Sequence, residues 1–137
     1  MTTLRVAFYH GLGDSSNFAH QIPLWIRRGD ACRVELADSH AWLKAYQGRS
    51  VDCLYLDSAD VGTPQCEESC LEEAKLASAF LHERSCILID DTPFNNGATA
   101  GKGTLAIPWL VAQGWKVAHA GYQVMLTRKP APLVTVA

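Results

Sequence analysis

The chain has 137 residues, which is the usual length of one domain and too short for two full nucleotide-binding halves. Hydrophobic residues make up 48% of it and charged residues 19%, and no apolar run reaches the roughly 20 residues that a bilayer span requires. The net charge of −2 provides no basic surface for nucleic acid. We therefore expect one globular domain over residues 1–137 that binds neither membranes nor nucleic acid.

The start of the chain and its cysteines both indicate a cytoplasmic protein. Residues 1–5 do not have the basic segment, apolar stretch and cleavage site of a secretory signal, and an apolar strand pattern begins at Leu4. The five cysteines are an odd number and include no C-x-x-C pair. We expect reduced thiols that pack as small hydrophobic side chains, with Cys53 and Cys86 inside apolar strand-like runs.

The first predicted unit, residues 4–29, is a strand, a glycine loop and a helix. An apolar run over residues 4–9 stops at a loop that contains Gly11, Gly13 and Asp14. The apolar residues beyond this loop share one helical face, as in a helix that packs on a sheet. A glycine loop between a strand and a helix is typical of phosphate or cofactor binding.

Two further strands are predicted in the middle of the chain. Residues 33–37 form the first, and Asp38 and Ser39 follow it as capping residues of a short helix. A nearly continuous apolar run over residues 51–56 forms the second and ends at Asp57. Such runs are typical of strands that are buried on both faces of a parallel sheet.

The clearest amphipathic helix is predicted over residues 65–84, where small and apolar side chains share one stripe and most charged side chains lie elsewhere. Residues 86–89 form the next buried strand, which stops at Asp90 and Asp91. The order therefore remains strand, helix, strand.

The last part of the chain is predicted to contain a glycine-rich loop, one helix and two closing strands. Lys102 lies in the loop, the helix ends at Gly114, and His119 lies in the first closing strand. Residues 130–137 resemble a frayed tail.

Strands that alternate with helices predict an α/β fold. Right-handed crossovers between them favour a mainly parallel sheet with helices on both faces, and the closing strands add an antiparallel hairpin. The carboxyl ends of such strands meet at one edge, where Asp57, Asp90 and Asp91 would repel one another unless a cation or ligand offsets them. For Asp38 and Ser39, helix capping is an equally good explanation.

Five segments in this order resemble the third strand through the final hairpin of class I S-adenosylmethionine-dependent methyltransferases. The resemblance covers about residues 31–129. The segments are residues 34–39, 51–58, 87–91, 101–103 and 119–123. The resemblance implies a single Rossmann-like three-layer domain, shortened in its front half. It also implies methyl transfer from S-adenosylmethionine to a hydroxyl of a small molecule or sugar, by an intact or a degenerate enzyme.

The resemblance assigns roles to the residues at the strand ends. The implied cofactor contacts are Asp38, Ser39 and Asp57, and the glycine loop adds Gly11, Gly13 and Asp14 as expected cofactor contacts. The implied catalytic residues are Asp57 and Asp90. Lys102 and His119 are further candidates as acid-base or substrate contacts, with a position on the loop surface or at a strand end as the alternative. In the cation-dependent branch of the family, magnesium would be held by Asp57, Asp90 and Asp91, which could orient the acceptor oxygens. Whether magnesium is used stays open.

Two other functions remain open. Residues 4–29 resemble the opening unit of heptosyltransferase-type glycosyltransferases, in which Asp14 would be the base that activates an acceptor hydroxyl. A non-catalytic binding or assembly module of the same fold is the other alternative. Because a shortened sheet would expose an edge or an apolar face, a homodimer is also predicted.

Overall fold

The computed structural model describes residues 6–10, 37–95 and 98–128. Several expectations lie outside this part of the chain: the loop with Gly11, Gly13 and Asp14, the helix that follows it, and nearly all of the strand predicted over residues 33–37. The tail over residues 130–137 lies outside it as well.

Seven strands are present in the described ranges. They are β1 (Val6–His10), β2 (Val51–Asp57), β3 (Leu81–Ile89), β4 (Phe94–Asn95), β5 (Ala98–Thr99), β6 (Lys116–Ala120) and β7 (Val124–Thr127). Five of them form one sheet in the order β1-β2-β3-β7-β6, and β4 and β5 form a separate antiparallel pair. In the main sheet β1 is parallel to β2 and β2 to β3, whereas β7 is antiparallel to both β3 and β6.

The expectation of a mainly parallel sheet is wrong, because the sheet is mixed. Two of its strand pairings are parallel and two are antiparallel. The physical reason is the position of the closing hairpin. Its second strand, β7, does not stay at the edge but inserts between β6 and β3, so that it makes both antiparallel pairings. The predicted hairpin itself is confirmed.

Three α-helices lie in the described ranges: α1 (Ser39–Ala45), α2 (Cys66–Ala77) and α3 (Gly103–Ala112). Successive strand residues point to opposite faces of a sheet, and one face of this sheet carries the main core. That face presents Leu54, Leu56, Ile87, Ile89, Val124 and Leu126, which lie in register across three strands. All three helices contribute side chains to the same buried cluster.

The helices therefore form one layer over one face of the sheet. The second helical layer of a three-layer fold is not among the described residues, so what the structure establishes is an α/β fold with a mixed sheet. No membrane-spanning helix is found in the described part of the chain, where the longest helix has 12 residues.

The helix predicted over residues 65–84 is too long by several residues. α2 ends at Ala77, a 3-10 turn covers Ser78–Phe80, and β3 begins at Leu81. The Ser78 hydroxyl donates a hydrogen bond to the carbonyl of Ala74 at the helix end, and Leu81 pairs with Val51 of β2. Sheet pairing therefore overrides the helical spacing that continues to Leu81.

Candidate functional site

The carboxyl ends of β2 and β3 bring three carboxylates to one rim of the sheet. Asp57 is the last residue of β2, and Asp90 and Asp91 follow directly after β3. The Asp90 amide donates a hydrogen bond to the carbonyl of Leu56 at 3.1 Å, which holds the two strand ends together. β1 ends at the same rim, because its last residue, His10, is in register with Asp57.

Lys102 lies between two of these carboxylates. Its Nζ is 2.6 Å from Oδ1 of Asp57 and 2.9 Å from Oδ2 of Asp91, and its side chain is only 3% exposed. Burial by itself would lower the pKa of Lys102, but the hydrogen bonds to the two carboxylates outweigh it and raise that pKa. Lys102 is therefore a charged ammonium that bridges β2 and the loop after β3.

The backbone before α3 places this lysine. The Lys102 amide donates to the carbonyl of Asp91 at 3.2 Å. Gly101 has a φ of +72°, and a Cβ on it would lie 2.1 Å from the same Asp91 carbonyl oxygen. A glycine is required here for both reasons, since other residues would be strained and would push the two loops apart.

Asp90 is held by a second set of hydrogen bonds. The Tyr55 hydroxyl donates to Oδ2 of Asp90, and Gln123 Nε2 donates to Oδ1 at 3.1 Å. The Asp91 amide also donates to Oδ1, at 2.8 Å. Burial and then the hydrogen bond to Asp90 raise the pKa of Tyr55, so the phenol remains protonated and continues to donate.

Asp91 is fixed by an exposed tyrosine as well as by Lys102. The Tyr122 hydroxyl donates to Oδ1 of Asp91, and this bond, followed by those from Lys102, lowers the pKa of Asp91 although burial opposes it. The same bond raises the pKa of Tyr122, whose side chain is largely exposed. Tyr122 is also anchored by its backbone carbonyl, which accepts from the Thr92 amide at 2.9 Å.

These contacts leave one carboxylate oxygen open. Oδ2 of Asp57 accepts no hydrogen bond from any described residue, whereas both oxygens of Asp90 and Asp91 have partners. The Asp57 side chain is 30% exposed, so the carboxylate is only partly withdrawn from solvent. Among the described residues, the rim has three carboxylates and one ammonium, so their charges sum to an excess of negative charge. It can attract a cation or accept a proton.

A magnesium ion held jointly by Asp57, Asp90 and Asp91 does not fit this arrangement. The Lys102 ammonium occupies the position between Asp57 and Asp91, and Tyr55 and Gln123 already use the oxygens of Asp90. Within the described ranges, no group of three or more metal-ligating side chains is placed to hold an ion. The Lys102 ammonium therefore lies between two of the carboxylates to which the sequence analysis assigned a metal.

Asp38 and Ser39 lie at the start of α1, and neither has a hydrogen bond to the carboxylate cluster among the described residues. Asp38 is the N-cap, and its Oδ1 accepts a hydrogen bond from the Ala41 amide at 2.9 Å. This is the capping role that the sequence indicated as one of two explanations for Asp38. An open depression of about 480 Å³ lies mainly along the start of α2 and touches α1 at His40. The other lining residues are Ala59 from the loop after Asp57, and Pro64, Gln65, Glu68, Ser69 and Glu72.

His119 is on the edge strand β6 and is exposed. It pairs with Met125 of β7, which in turn pairs with Leu88 of β3, so His119 lies toward the same rim two strands away. It makes no hydrogen bond to the cluster within the described part of the chain. Gly11, Gly13 and Asp14 are outside that part, although they directly follow His10 in the sequence.

Three residues of the cluster were not predicted from the sequence: Tyr55, Tyr122 and Gln123. Tyr55 could have been found, because it lies two residues before Asp57 and therefore on the same face of β2. Tyr122 and Gln123 lie in the closing hairpin turn. They reach the rim because β7 inserts beside β3, and no local sequence pattern reports that insertion.

The chain matches no protein-family model, no curated protein and no solved structure.

Proposed function

We propose that this protein is an S-adenosylmethionine-dependent methyltransferase that acts on a hydroxyl group of a small molecule or sugar. The observation that carries the proposal is the bridge from Asp57 through Lys102 to Asp91 at the carboxyl ends of the strands, with one carboxylate oxygen left open. In open α/β sheets, this is the edge at which ligands bind.

The charge of the rim supports this choice of cofactor. The donor sulfur of S-adenosylmethionine is a positively charged sulfonium, and an excess of carboxylates favours a cation over a neutral ligand. In the proposal Asp57 faces the sulfonium side, and Asp38 and Ser39 contact the adenosine end, beside the depression that touches α1 at His40. Gly11, Gly13 and Asp14 complete the cofactor contacts.

The chain's own residues would then position the acceptor and take its proton. S-adenosylmethionine supplies the electrophilic methyl group when it is bound. The open oxygen of Asp57 receives the proton of the acceptor hydroxyl, and Lys102 holds this carboxylate in place. Asp90 and His119 are proposed as further acceptor contacts. No magnesium takes part in this scheme.

We also propose that the described sheet and helices belong to a Rossmann-like three-layer domain. The proposed location of the protein is the cytoplasm. All four cysteines with described side chains are free, in keeping with a reducing compartment.

Calorimetric titration with S-adenosylmethionine and with its neutral product S-adenosylhomocysteine tests the cofactor site. We expect Asp57→Asn to weaken binding of the sulfonium form about tenfold, the equivalent of roughly 1.4 kcal/mol, and to weaken binding of the neutral form less. Asp52→Asn is the matched control, because Asp52 is on the same strand at the opposite end of the sheet, where it pairs with His82.

Three results would contradict the proposal in different ways. If the protein does not bind S-adenosylmethionine at millimolar concentration, S-adenosylmethionine is not its cofactor. If Asp57→Asn weakens binding of both ligands equally, or if Asp52→Asn weakens binding as much, the charge of Asp57 does not recognise the sulfonium. Binding without formation of S-adenosylhomocysteine across a panel of hydroxylated acceptors favours the non-catalytic binding module instead.

A further inference from the structure

Cys53 of β2 and Cys86 of β3 form a pair of neighbouring thiols. They are directly opposite each other in the parallel register, one on each of two paired strands. Both thiols are free and partly exposed. They are on the face of the sheet opposite the main core, because Leu54 and Ile87, the next residues on each strand, are on the core face.

The spacing of paired strands suits a covalent bond between these two residues. Neighbouring strands lie about 4.7 to 4.9 Å apart. The Cα atoms of a disulfide are usually about 4.4 to 6.8 Å apart, so the pair can be bridged without moving the strands far.

We propose that Cys53 and Cys86 are a site of reversible disulfide formation by exchange with a low-molecular-weight disulfide. The thiolate of one of the two residues attacks one sulfur of the small disulfide, which forms a mixed disulfide and releases the first small thiol. The other thiol then loses its proton and attacks the protein sulfur of the mixed disulfide, which releases the second small thiol. The two protein thiols are oxidised to one disulfide, and the small disulfide is reduced to two thiols.

Either thiol can make the first attack, because the two residues are opposite each other and both are partly exposed. Burial, and then the neighbouring Cys86 thiol, raise the pKa of Cys53 to about 12. Proximity offsets this raised pKa in the intramolecular step, since the two cysteines are already beside each other.

The bond would connect the two strands that carry the rim carboxylates. Alternation along β2 places Asp57 on the same face as Cys53, and alternation past the end of β3 does the same for Asp90 and Cys86. The inference itself does not depend on methyl transfer, because the state of the thiols is measured directly.

The other cysteines with described side chains provide an internal control. Cys66 and Cys70 are buried on α2 in the main core. Burial, and then the nearby Glu73, raise the pKa of Cys70 to about 12. These two thiols should stay reduced under conditions that oxidise the strand pair.

Equilibration of the full-length chain in buffers of increasing oxidised-to-reduced glutathione ratio tests the proposal. Remaining thiols are alkylated, and peptide mass spectrometry then identifies the linked residues. We expect a Cys53–Cys86 link, loss of two hydrogen masses, and full reversal by dithiothreitol. Cys53→Ser should stop at a mixed disulfide with glutathione on Cys86.

Complete alkylation of Cys53 and Cys86 at the most oxidising ratio, in protein that circular dichroism shows to be folded, would overturn the inference. A link from either residue to Cys32, or between two chains, would overturn it as well. The wild-type peptide map decides between these outcomes even if a serine variant does not fold.

Discussion

At the scale of single residues, Lys102 links the end of β2 to the loop that follows β3. It is buried, it bridges Asp57 and Asp91, and its backbone amide also contacts the loop after β3. A buried ion pair is weak evidence for stability in itself, but removal of one partner leaves the remaining charges without compensation.

Lys102→Met is therefore expected to destabilise the fold. The methionine keeps most of the apolar chain length, but Asp57 and Asp91 then repel each other without a cation between them. We expect a loss of about 2 kcal/mol in the free energy of unfolding, below the range for a fully buried pair because both carboxylates are partly hydrated. Urea denaturation at neutral pH measures it. Lys75→Met, on the exposed side of α2, should stay within about 0.5 kcal/mol of wild type.

The pKa shifts of Asp91 and Lys102 define the pH range in which Lys102→Met should lower the free energy of unfolding. The pKa of Asp91 is lowered, so its contribution is present above the ordinary value of 3.8 and is lost as the pH falls below that value. The pKa of Lys102 is raised, so its contribution is present below the ordinary value of 10.5 and is lost as the pH rises above it. The stability difference between wild type and variant should be largest between these limits, and a pH-independent difference would contradict this account.

At the scale of elements, Asp38 has two roles at the start of α1, one structural and one proposed. The side chain caps the helix, and the proposed function adds a contact to the cofactor. Asp38→Ala should cost about 1 kcal/mol of stability, whereas Asp38→Asn should cost little because asparagine is an equally good N-cap.

Titration of S-adenosylmethionine into both variants then isolates the second role. If Asp38→Asn leaves both stability and affinity unchanged, the carboxylate charge has no part in binding. If both variants lose affinity, Asp38 contributes more than a helix cap.

The strands of the main sheet were largely predictable, because apolar runs and the Asp residues that end them are local patterns. β2 was predicted to within one residue, and the capping of α1 by Asp38 was predicted as well. The end of α2 was not, since spacing alone cannot distinguish a helix that continues to Leu81 from a strand that begins there. Only the pairing of Leu81 with Val51 decides it.

The candidate site was predictable to a smaller extent. Convergence of Asp57, Asp90 and Asp91 follows from strand order, which a sequence pattern can suggest. The lysine between two of them depends on how the loop before α3 folds back on Asp91, and the contacts of Tyr122 and Gln123 depend on the insertion of β7. These are tertiary contacts between distant segments, which no local sequence pattern reports.

At the scale of the whole molecule, the helices of the described ranges cover one face of the sheet, and β6 is an exposed edge. Val117 on β6 is an exposed apolar side chain at that edge. Pairing with a second copy of the chain stays a prediction, which light scattering at two concentrations tests.

Global stability also depends on a buried carboxylate in the helical layer. Glu73 on α2 is 1% exposed, and neither of its carboxylate oxygens has a hydrogen-bond partner among the described residues. A buried polar group without a partner costs about 1 to 3 kcal/mol. Glu73→Met replaces it with an apolar side chain of similar size, so we expect a more stable protein, with Tm higher by roughly 3 to 6 °C.

Thermal unfolding of Glu73→Met beside Glu72→Met measures this effect. Glu72 is the neighbouring, partly exposed position on the same helix, where the substitution should change Tm little. The direction of the shift is decisive, because a stabilising contact of the Glu73 carboxylate would make its replacement lower Tm.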